Sequence, residues 1–501
     1  MTVKKKKVVI VGGGTAGIVI ANRIQKYFDV VIIEKSKYLK YPIWFKIPLF
    51  IGLLLKQSKS KYILKRNLLS SHGRKVPFFE SNLLGGASMI NGCVHMLGSK
   101  LQWNDILKKF NANYHDLLES YYDLYSDDLK IKNKISLKTS SQNIIDEAFI
   151  KSLENKKIPL GNMDFSNEQA CGPILNTSKK FFRSSVLSLI KEKKFKIFMD
   201  EKVEEVLFNE NNDAIGIKTD KRIINSDFVI LSGGVIGTCR ILLNAKNKTA
   251  SNNPLSNLKV GHNIKDHTNL RVNIISKKRI DSLNEISGSF YKKLLLVLKH
   301  FSGKNSVMIG TGATSAAHLD LDGNGEIDTR IQIVQFSESG RMEGGRKLFS
   351  SVKPSFSISI TAIRPKSTGI IEINGDSSSI NPMYLSKKYD IDLLKLALKF
   401  CIKLLKSDEM SKNILKIEDE DEIVRNPEKY IFNNFYSGYH LIGGSNESIN
   451  SNFSVKNTNG LFICDASIFK EFAASNIHSS VVLVADIFAK KFINQNIMSN
   501  E

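Results

Sequence analysis

The sequence predicts a mixed fold that combines an α/β part with an α+β part, on three observations. Residues 8–34 contain an apolar strand, a glycine-rich turn, a helix and a second apolar strand, in the order of a β-α-β unit. β structure returns in residues 196–234, where short apolar strands alternate with polar turns. Alternating residues in 329–336 and 356–363, followed by a helical run at 392–407, predict an antiparallel sheet backed by helices.

The amino-terminal β-α-β unit predicts a dinucleotide site. Its apolar run Val8–Val11 is long enough for a strand buried on both faces. The pattern G-x-G-x-x-G follows, formed by Gly12, Gly14 and Gly17. Gly12 permits a tight turn, Gly14 lets the backbone approach a pyrophosphate, and Gly17 lets the helix pack closely on the sheet. Glu34 ends the second strand, where it suits a ribose hydroxyl and would repel a 2′-phosphate. The alternative is a glycine turn in another kind of α/β unit.

The chain length and the cysteines restrict the class of protein. A chain of 501 residues is too long for one small domain and suits two interwoven ones. Five scattered cysteines predict a reduced compartment without disulfides, and no Cys/His cluster has zinc spacing. Because the first strand begins at residue 8, we expect no cleavable signal before it. The apolar stretch Ile47–Leu55 is too short to span a bilayer. These features predict a cytoplasmic location.

The formal net charge of +23 has three interpretations. The first is a lysine-rich composition with a solvated surface. The second is peripheral contact with an anionic membrane surface or another anionic polymer. Nucleic-acid binding is the third, but the sequence has neither interleaved aromatic and basic residues nor a recognition-helix pattern. We therefore expect no nucleic-acid partner.

A second glycine-rich stretch, Leu84–Ser99, contains Gly85, Gly86, Ser88, Asn91, Gly92 and Gly98. These residues match the pattern G-G-S-S-x-x-N-G-x-x-Y-x-R-G, so the stretch resembles the motif of the glucose–methanol–choline (GMC) flavoprotein oxidoreductases. In the family this loop lies along the flavin and diphosphate, so the resemblance implies FAD as the cofactor. Some members attach FAD covalently through a histidine directly before the asparagine. This chain has Ile90 there, which implies non-covalent FAD.

The resemblance extends along nearly the whole chain and implies the remaining cofactor contacts. Val203 matches the residue whose backbone contacts the adenine, and the sequence at 459–467 resembles G-L-x-V-x-D-A-S, whose Asp contacts the diphosphate region. Residues 260–267 resemble V-G-x-N-L-x-D-H, so we expect a structural role for His267; for His95 we weigh a structural role against that of a catalytic base. The residues implied to bind FAD are Gly12, Gly14, Thr15, Ala16, Gly17, Glu34, Gly86, Ser88, Asn91, Gly92, Val203, Asp465 and Ala466.

Two histidines near the carboxyl terminus are the candidate catalytic pair. The sequence from Tyr439 resembles H-x-x-G-T at His440, and the sequence from Asn476 resembles N-x-[NH] at His478. One imidazole, with a pKa near neutrality, can take the proton of a hydroxyl group. The second can hold the hydroxyl oxygen so that the C–H bond points at the flavin, which accepts the hydride. Which of the two is the stronger base stays open, and a buried structural histidine is the alternative for each.

The resemblance implies a discontinuous, Rossmann-like FAD-binding domain and a second, antiparallel-sheet substrate domain. The first comprises residues 1–267, with covering helices around 100–180, and residues 431–501; the second comprises residues 268–430. Within the second, Asp320–Asp328 has the spacing of a calcium loop at its start, but Ile331 stands where the bidentate acid is expected. Calcium binding and an acidic turn are both open, and we predict no metal.

The resemblance, together with the histidine pair, implies an FAD-dependent oxidoreductase that oxidises a CH–OH group of a sugar, polyol or other alcohol, with an unknown electron acceptor. One alternative is a light-driven fatty-acid decarboxylase of the same fold. That branch lacks the first catalytic imidazole and has a Cys near the position of Ser337-Glu338-Ser339, so both features argue against it. The other alternative is a non-catalytic flavin-binding protein, against which the retention of both histidines argues.

Overall fold

The computed structural model describes residues 5–56, 60–70, 72–128, 130–190, 192–247, 253–302, 306–338, 352–374 and 377–497. Its strands are β1 (Lys7–Val11), β2 (Asp29–Glu34), β3 (Ile63–Leu69), β4 (Lys75–Ser81), β5 (Val94–His95), β6 (Tyr125–Ser126), β7 (Ile135–Thr139), β8 (Ala170–Pro173), β9 (Leu175–Lys179), β10 (Phe182–Arg183), β11 (Lys196–Met199), β12 (Val203–Phe208), β13 (Ala214–Thr219), β14 (Ile223–Asn225), β15 (Phe228–Leu231), β16 (Thr268–Ser276), β17 (Ala313–Leu319), β18 (Thr329–Val334), β19 (Ser355–Ala362), β20 (Ile370–Asn374), β21 (Ser377–Asn381), β22 (Ile414–Ile417), β23 (Tyr436–Ser437) and β24 (Leu461–Ile463). Its helices are α1 (Thr15–Ile24), α2 (Ile51–Lys56), α3 (Lys100–Lys109), α4 (Tyr114–Leu124), α5 (Ile144–Glu154), α6 (Gly234–Lys246), α7 (Leu283–Ser287), α8 (Phe290–Phe301), α9 (Lys388–Leu405), α10 (Asp408–Ser411), α11 (Glu420–Arg425), α12 (Pro427–Asn434) and α13 (Ile477–Asn496).

A parallel sheet of order β11-β2-β1-β15-β24 forms the centre of the first part. Its middle strand β1 is fully buried at Val8–Ile10, because it lies between β2 and β15, α1 packs on the sheet, and α13 packs against α1. The predicted β-α-β unit is therefore present as β1-α1-β2. The last strand, β24, reaches this sheet from the far end of the sequence, as expected for a discontinuous Rossmann-like domain.

An antiparallel sheet of order β22-β16-β19-β18-β17-β8 forms the second part, with β23 pairing with β16. One of its faces is apolar, because alternate residues such as Phe356 and Ile358 lie in the core with α9. The fold class predicted from sequence is confirmed. Two of its strands, β8 and β23, lie outside residues 268–430. The sheet therefore contains residues from both predicted domains, and the domain boundaries stay a prediction.

Strands β3 and β4 form a hairpin that the sequence did not predict, and it contributes Lys65 and Arg66 to the wall of the cavity described below. The covering helices predicted around 100–180 are α3, α4 and α5, interrupted by short strands. All five cysteines are buried and unpaired. Among the described residues, no helix combines the length and the apolar character needed to cross a membrane.

The acidic loop between β17 and β18 brings carboxylate oxygens of Asp320, Asp322 and Asp328 within 4.8 Å of one another. Two of these carboxylates accept backbone N–H groups of the loop: Asp320 from Gly323 and Asp328 from Leu321. Burial raises the pKa of Asp328 to about 6. Calcium binding and an acidic turn both stay predictions.

Candidate functional site

A cavity of about 610 Å³ lies between the parallel sheet and the antiparallel sheet, within the usual size range of a cofactor or ligand pocket. Most residues predicted for the site contribute to its wall. Those that line it are Gly12, Gly14, Thr15, Ala16, Glu34, Gly86, Asn91, Gly92, Val203, His440, Asp465, Ala466 and His478. The other two predicted residues lie behind the wall: Gly17 is in the first turn of α1, and the buried hydroxyl of Ser88 donates to the carbonyl of Gly85.

Two glycine turns meet at one end of the cavity. Gly12 has a φ of +106° and Gly86 a φ of +56°, both in the region that favours glycine. A Cβ on Gly86 would lie 2.9 Å from the Cα of Gly14, and the N–H of Gly85 donates to the carbonyl of Gly13 over 2.7 Å. The contact leaves the N-terminus of α1 at the cavity wall, where its N–H groups and positive dipole end suit a diphosphate.

Two buried carboxylates hold the backbone on either side of these turns. Glu34 accepts the N–H of Gly13 over 2.7 Å. Asp465 accepts the hydroxyl of Thr238 over 2.6 Å and the N–H of Gly234 over 2.9 Å, and burial raises the pKa of this carboxyl. Each carboxylate therefore fixes a loop that borders the cavity. Thr15 adds a buried hydroxyl that has no hydrogen-bond partner among the described residues. The donor and acceptor set of this wall fits FAD.

His440 belongs to a hydrogen-bonded chain that fixes its tautomer. Nε2 of His267 lies 3.1 Å from the carbonyl of Ile363, and Nδ1 of His267 lies 2.9 Å from Nδ1 of His440. A carbonyl only accepts, so Nε2 of His267 carries the hydrogen. Burial lowers the pKa of His267 well below its usual value, so its Nδ1 is a bare acceptor. His440 must then donate from Nδ1, and its Nε2 is left as a proton acceptor on a ring that lines the cavity.

The backbone of His440 is also fixed. Its N–H donates to Asp266 over 2.8 Å, and the same carboxylate accepts the hydroxyls of Tyr384 and Ser437. Burial raises the pKa of Asp266 to about 6. Asp266 and His267, which position His440, both belong to the stretch that resembles V-G-x-N-L-x-D-H. From that stretch the sequence predicted only a structural role for His267.

Both candidate catalytic histidines are neutral at neutral pH. Burial, with smaller contributions from Arg330 and His478, lowers the pKa of His440 to about 3. Burial and then Arg183 lower the pKa of His478 to about 4. Nε2 of His478 is buried and has no hydrogen-bond partner among the described residues. The two rings therefore offer the same cavity an oriented acceptor nitrogen and a second imidazole nitrogen without a partner.

These lowered pKa values predict a flat acid limb in the pH profile. A base works in its unprotonated form, so a lowered pKa moves the acid-side loss of activity to lower pH. We expect kcat/KM for flavin reduction by an alcohol to stay constant between about pH 5 and 8, the range in which an ordinary histidine titrates. Anaerobic stopped-flow measurements across this range test the prediction. A decline toward acid with an apparent pKa near the usual histidine value of about 6.5 would contradict it.

Opposite the glycine turns, the cavity is bordered by a polar face of the antiparallel sheet that sequence reasoning missed. This polar face consists of Asn269, Arg271, Arg330, Gln332 and Ser359. They are brought together in cross-strand rows, since Ser359 pairs with both Arg271 and Gln332, which lie on strands far apart in sequence. Each of the five except Ser359 has a buried polar atom without a hydrogen-bond partner among the described residues. The one local signal was the alternation of Arg330 and Gln332 with isoleucines in β18.

Arg330 is the member of the polar face whose charge acts on the histidines, since it contributes to the lowered pKa of His440 and of His267. Arg330 is 3% exposed, and its guanidinium donates to the side chain of Asn476 over 2.7 Å and forms no ion pair with a described carboxylate. Burial lowers its pKa to about 10, so it stays cationic at neutral pH.

His95 does not border the cavity. It is buried against Tyr125, with ring centroids 4.7 Å apart, and contacts the hydroxyl of Ser479. Its surroundings are those of a structural histidine.

Comparisons with known proteins match this architecture. Residues 6–269 and 365–485 match the sequence profiles of the GMC oxidoreductases. The chain is 21% identical to alcohol dehydrogenase (acceptor) of Pseudomonas putida, covering 97% of this chain and 95% of the relative. It is also 21% identical to glucose dehydrogenase (FAD, quinone) of Drosophila pseudoobscura, covering 95% and 85%. Among solved structures, formate oxidase superposes with a TM-score of 0.83 at 16% identity over 99% of both chains. Pyridoxine 4-oxidase from Mesorbium loti gives 0.79 at 17%, over 97% and 99%.

Proposed function

The chain belongs to the GMC oxidoreductase family, whose members are FAD-dependent, and we propose that it oxidises the CH–OH group of a sugar, polyol or other alcohol with His440 as the base. The observation that carries the proposal is the hydrogen-bonded chain from Ile363 through His267 to His440, which leaves Nε2 of His440 as an oriented acceptor in the cavity. When bound, FAD supplies the hydride acceptor. We propose that it is held without a covalent bond, by the residues predicted from the family motifs.

Side chains of the protein account for the other half of the reaction, which is the removal of the proton from the hydroxyl group. Removal of a hydride from carbon is favoured when the neighbouring hydroxyl loses its proton, and Nε2 of His440 is the acceptor for that proton. Nε2 of His478 has no hydrogen-bond partner in the part of the chain that the structure describes, so it can donate to or accept from the same oxygen, which would orient the C–H bond. Both rings are partly buried in the wall of the cavity, and burial lowers their pKa, so that both are neutral before a substrate is bound.

A panel of alcohols tests this proposal directly. The FAD-loaded protein is mixed anaerobically with sugars, polyols and simple alcohols, and the flavin absorbance near its visible maximum is followed. Bleaching by at least one alcohol, with formation of the matching carbonyl product, is the expected result. Absence of bleaching by every alcohol would favour a non-catalytic flavin-binding protein. Loss of carbon dioxide from a fatty acid under light would favour the decarboxylase instead.

The polar face supports a narrower substrate class. Its amide and guanidinium atoms that have no partner among the described residues suit a ligand with several hydroxyl groups. A buried cation without a carboxylate partner is costly, and an anionic group on the substrate would remove that cost at Arg330. We propose an alcohol that carries a carboxylate or a phosphate, bound with that group at Arg330.

Arg330→Gln should then weaken the use of anionic alcohols selectively. We expect kcat/KM for an anionic substrate to fall by about 10- to 100-fold, the size of one lost charged hydrogen bond, while a neutral analogue changes little. Glucose, gluconate and glucose 6-phosphate are suitable neutral, carboxylate and phosphate probes. Arg425→Gln, an exposed arginine on α11, is the matched control. An equal loss with neutral and anionic substrates would show that Arg330 acts on the flavin instead.

The electron acceptor, the cytoplasmic location and the contact with an anionic membrane surface stay predictions. Quinone appears in the name of the Drosophila relative and an unspecified acceptor in that of the Pseudomonas relative. A quinone or another small acceptor is therefore the candidate that we propose for reoxidation. Rates of steady-state turnover with oxygen and with a soluble quinone, measured after a reducing alcohol is found, separate an oxidase from a dehydrogenase.

A further inference from the structure

Helix α8 (Phe290–Phe301) presents a continuous apolar face to solvent. The large side chains on this face are between 44% and 83% exposed, whereas large apolar side chains elsewhere are mostly buried. They are Phe290, Tyr291, Leu294, Leu295, Leu298 and Phe301. Single exposed apolar residues need no explanation, but six on one short helix form a patch of the kind that marks an interaction site. We call these six residues the α8 apolar face.

The arrangement of charge around this face is specific. At about 100° per residue, the α8 apolar face spans a sector of roughly 140°, with Lys293 beyond one edge and Lys299 beyond the other. The helix sequence FYKKLLLVLKHF contains no acidic residue. An apolar face with lysines at both edges and aromatic residues at both ends is the pattern of a helix that lies in the plane of a membrane surface.

The opposite side of α8 is fixed to the body of the protein. Nε2 of the buried His300 donates to the carbonyl of Phe181 over 2.8 Å, and Nζ of Lys292 lies 3.5 Å from Oε1 of Glu285. Leu296 packs against the apolar cluster that includes Leu283. Because these contacts lie on the side directly away from the α8 apolar face, the orientation of that face is set by the fold.

We propose that the α8 apolar face docks the protein on an anionic lipid bilayer. Charge complementarity favours this occupant, since the lysines at both edges would approach lipid phosphates and the whole chain carries a net charge of +23. A second copy of the chain is less favourable, because a two-fold pairing would oppose Lys293 and Lys299 of the two helices with no acidic residue on α8 to compensate. The protein would lie on the membrane surface, with only the apolar side chains entering it.

Docking through α8 has a consequence for the cavity. Leu296 of α8 packs against an apolar cluster that includes Leu283, and Leu283 also lines the cavity. Leu49 packs against the same cluster and lines the cavity as well. The apolar wall of the cavity is therefore one layer of side chains away from the docking helix. A lipid-dissolved electron acceptor would meet the protein at this side. The proposal on membrane docking holds whether or not an alcohol is the substrate.

The test is partition of the full-length, FAD-loaded protein onto vesicles. We expect it to sediment with vesicles of phosphatidylcholine and phosphatidylglycerol, to bind phosphatidylcholine alone weakly, and to be released by salt. The double variant Leu294→Glu/Leu298→Glu should lower the partition coefficient by roughly tenfold or more, because two buried leucines are lost from the interface. Lys293→Gln/Lys299→Gln should lower binding to the anionic vesicles only.

A matched control separates the α8 apolar face from general surface charge. Leu415→Glu/Val424→Glu changes two exposed apolar residues elsewhere, 63% and 58% exposed, and should leave partition unchanged. Equal loss of binding in this control and in the α8 variant would overturn the proposal, as would unchanged binding in the α8 variant. A dimer in solution that the α8 variant dissociates, with no vesicle binding by the wild type, would assign the face to a second copy. FAD content, measured for each variant, confirms that it is folded.

Discussion

His440→Ala should retain bound FAD but reduce the rate of flavin bleaching by a reactive alcohol by roughly 10²–10⁴-fold, the contribution of a positioned general base. FAD retention is expected because the glycine turns and the carboxylates of Glu34 and Asp465 lie away from the imidazole in sequence and form their own hydrogen bonds. We expect the rate to fall because Nε2 of His440 is the acceptor that we propose for the hydroxyl proton. Single-turnover anaerobic mixing measures the chemical step without interference from reoxidation.

Two further variants show whether the effect is due to proton transfer. His440→Gln keeps a side chain that can hydrogen-bond to His267 but cannot take a proton, so it should be about as slow as the alanine variant. His115→Ala, an exposed histidine on α4, should bleach at the wild-type rate. If His440→Ala bleached at the normal rate, His440 would be removed from the mechanism. If it lost FAD altogether, the imidazole would be part of the cofactor site.

The parts of the fold that could be predicted from sequence are those determined by neighbouring residues. In the unit β1-α1-β2, the apolar runs and the spacing of Gly12, Gly14 and Gly17 lie within 27 consecutive residues, Val8 to Glu34. Each local preference there agrees with the final structure, so the prediction needed no knowledge of distant contacts. The family motifs extended this to the cavity wall, since each motif is itself a short stretch that carries its own backbone geometry.

The missed features depend on contacts between distant residues. His267 and His440 are 173 positions apart in sequence, and only their contact shows that a histidine expected to be structural sets the tautomer of the proposed base. Arg330 was missed because its place in the cavity wall depends on the cross-strand pairing of β16, β18 and β19. The hairpin β3-β4 was missed because its strands are basic and polar, and a hairpin that borders a polar ligand site needs polar residues for the same reason that a surface does.

Gly17→Ala is the cofactor-site variant for which we expect the largest loss. A Cβ at this position would overlap the carbonyl oxygen of Gly12 and come within 3.3 Å of the side chain of Ile10. The backbone oxygen cannot move without displacing the turn that ends β1, and the core around Ile10 is closely packed. We expect a loss of roughly 1–3 kcal/mol or more in folding stability from this overpacking, together with loss of FAD, because the N-terminus of α1 no longer approaches the diphosphate.

The ratio of flavin absorbance to protein, and the unfolding midpoint with and without added FAD, measure both effects of Gly17→Ala. Gly161→Ala is the matched control, because the nearest atom to its added Cβ is the methyl of Ala170 at 3.7 Å, an ordinary contact. Gly161 lies outside the large cavity, so this variant should keep its FAD and its stability. Full FAD content in Gly17→Ala would contradict the close packing of helix on turn that the cofactor site depends on. Since Gly17 itself does not line the cavity, loss of FAD there would show that the site is maintained by the packing of α1 against β1 as well as by the residues that face the ligand.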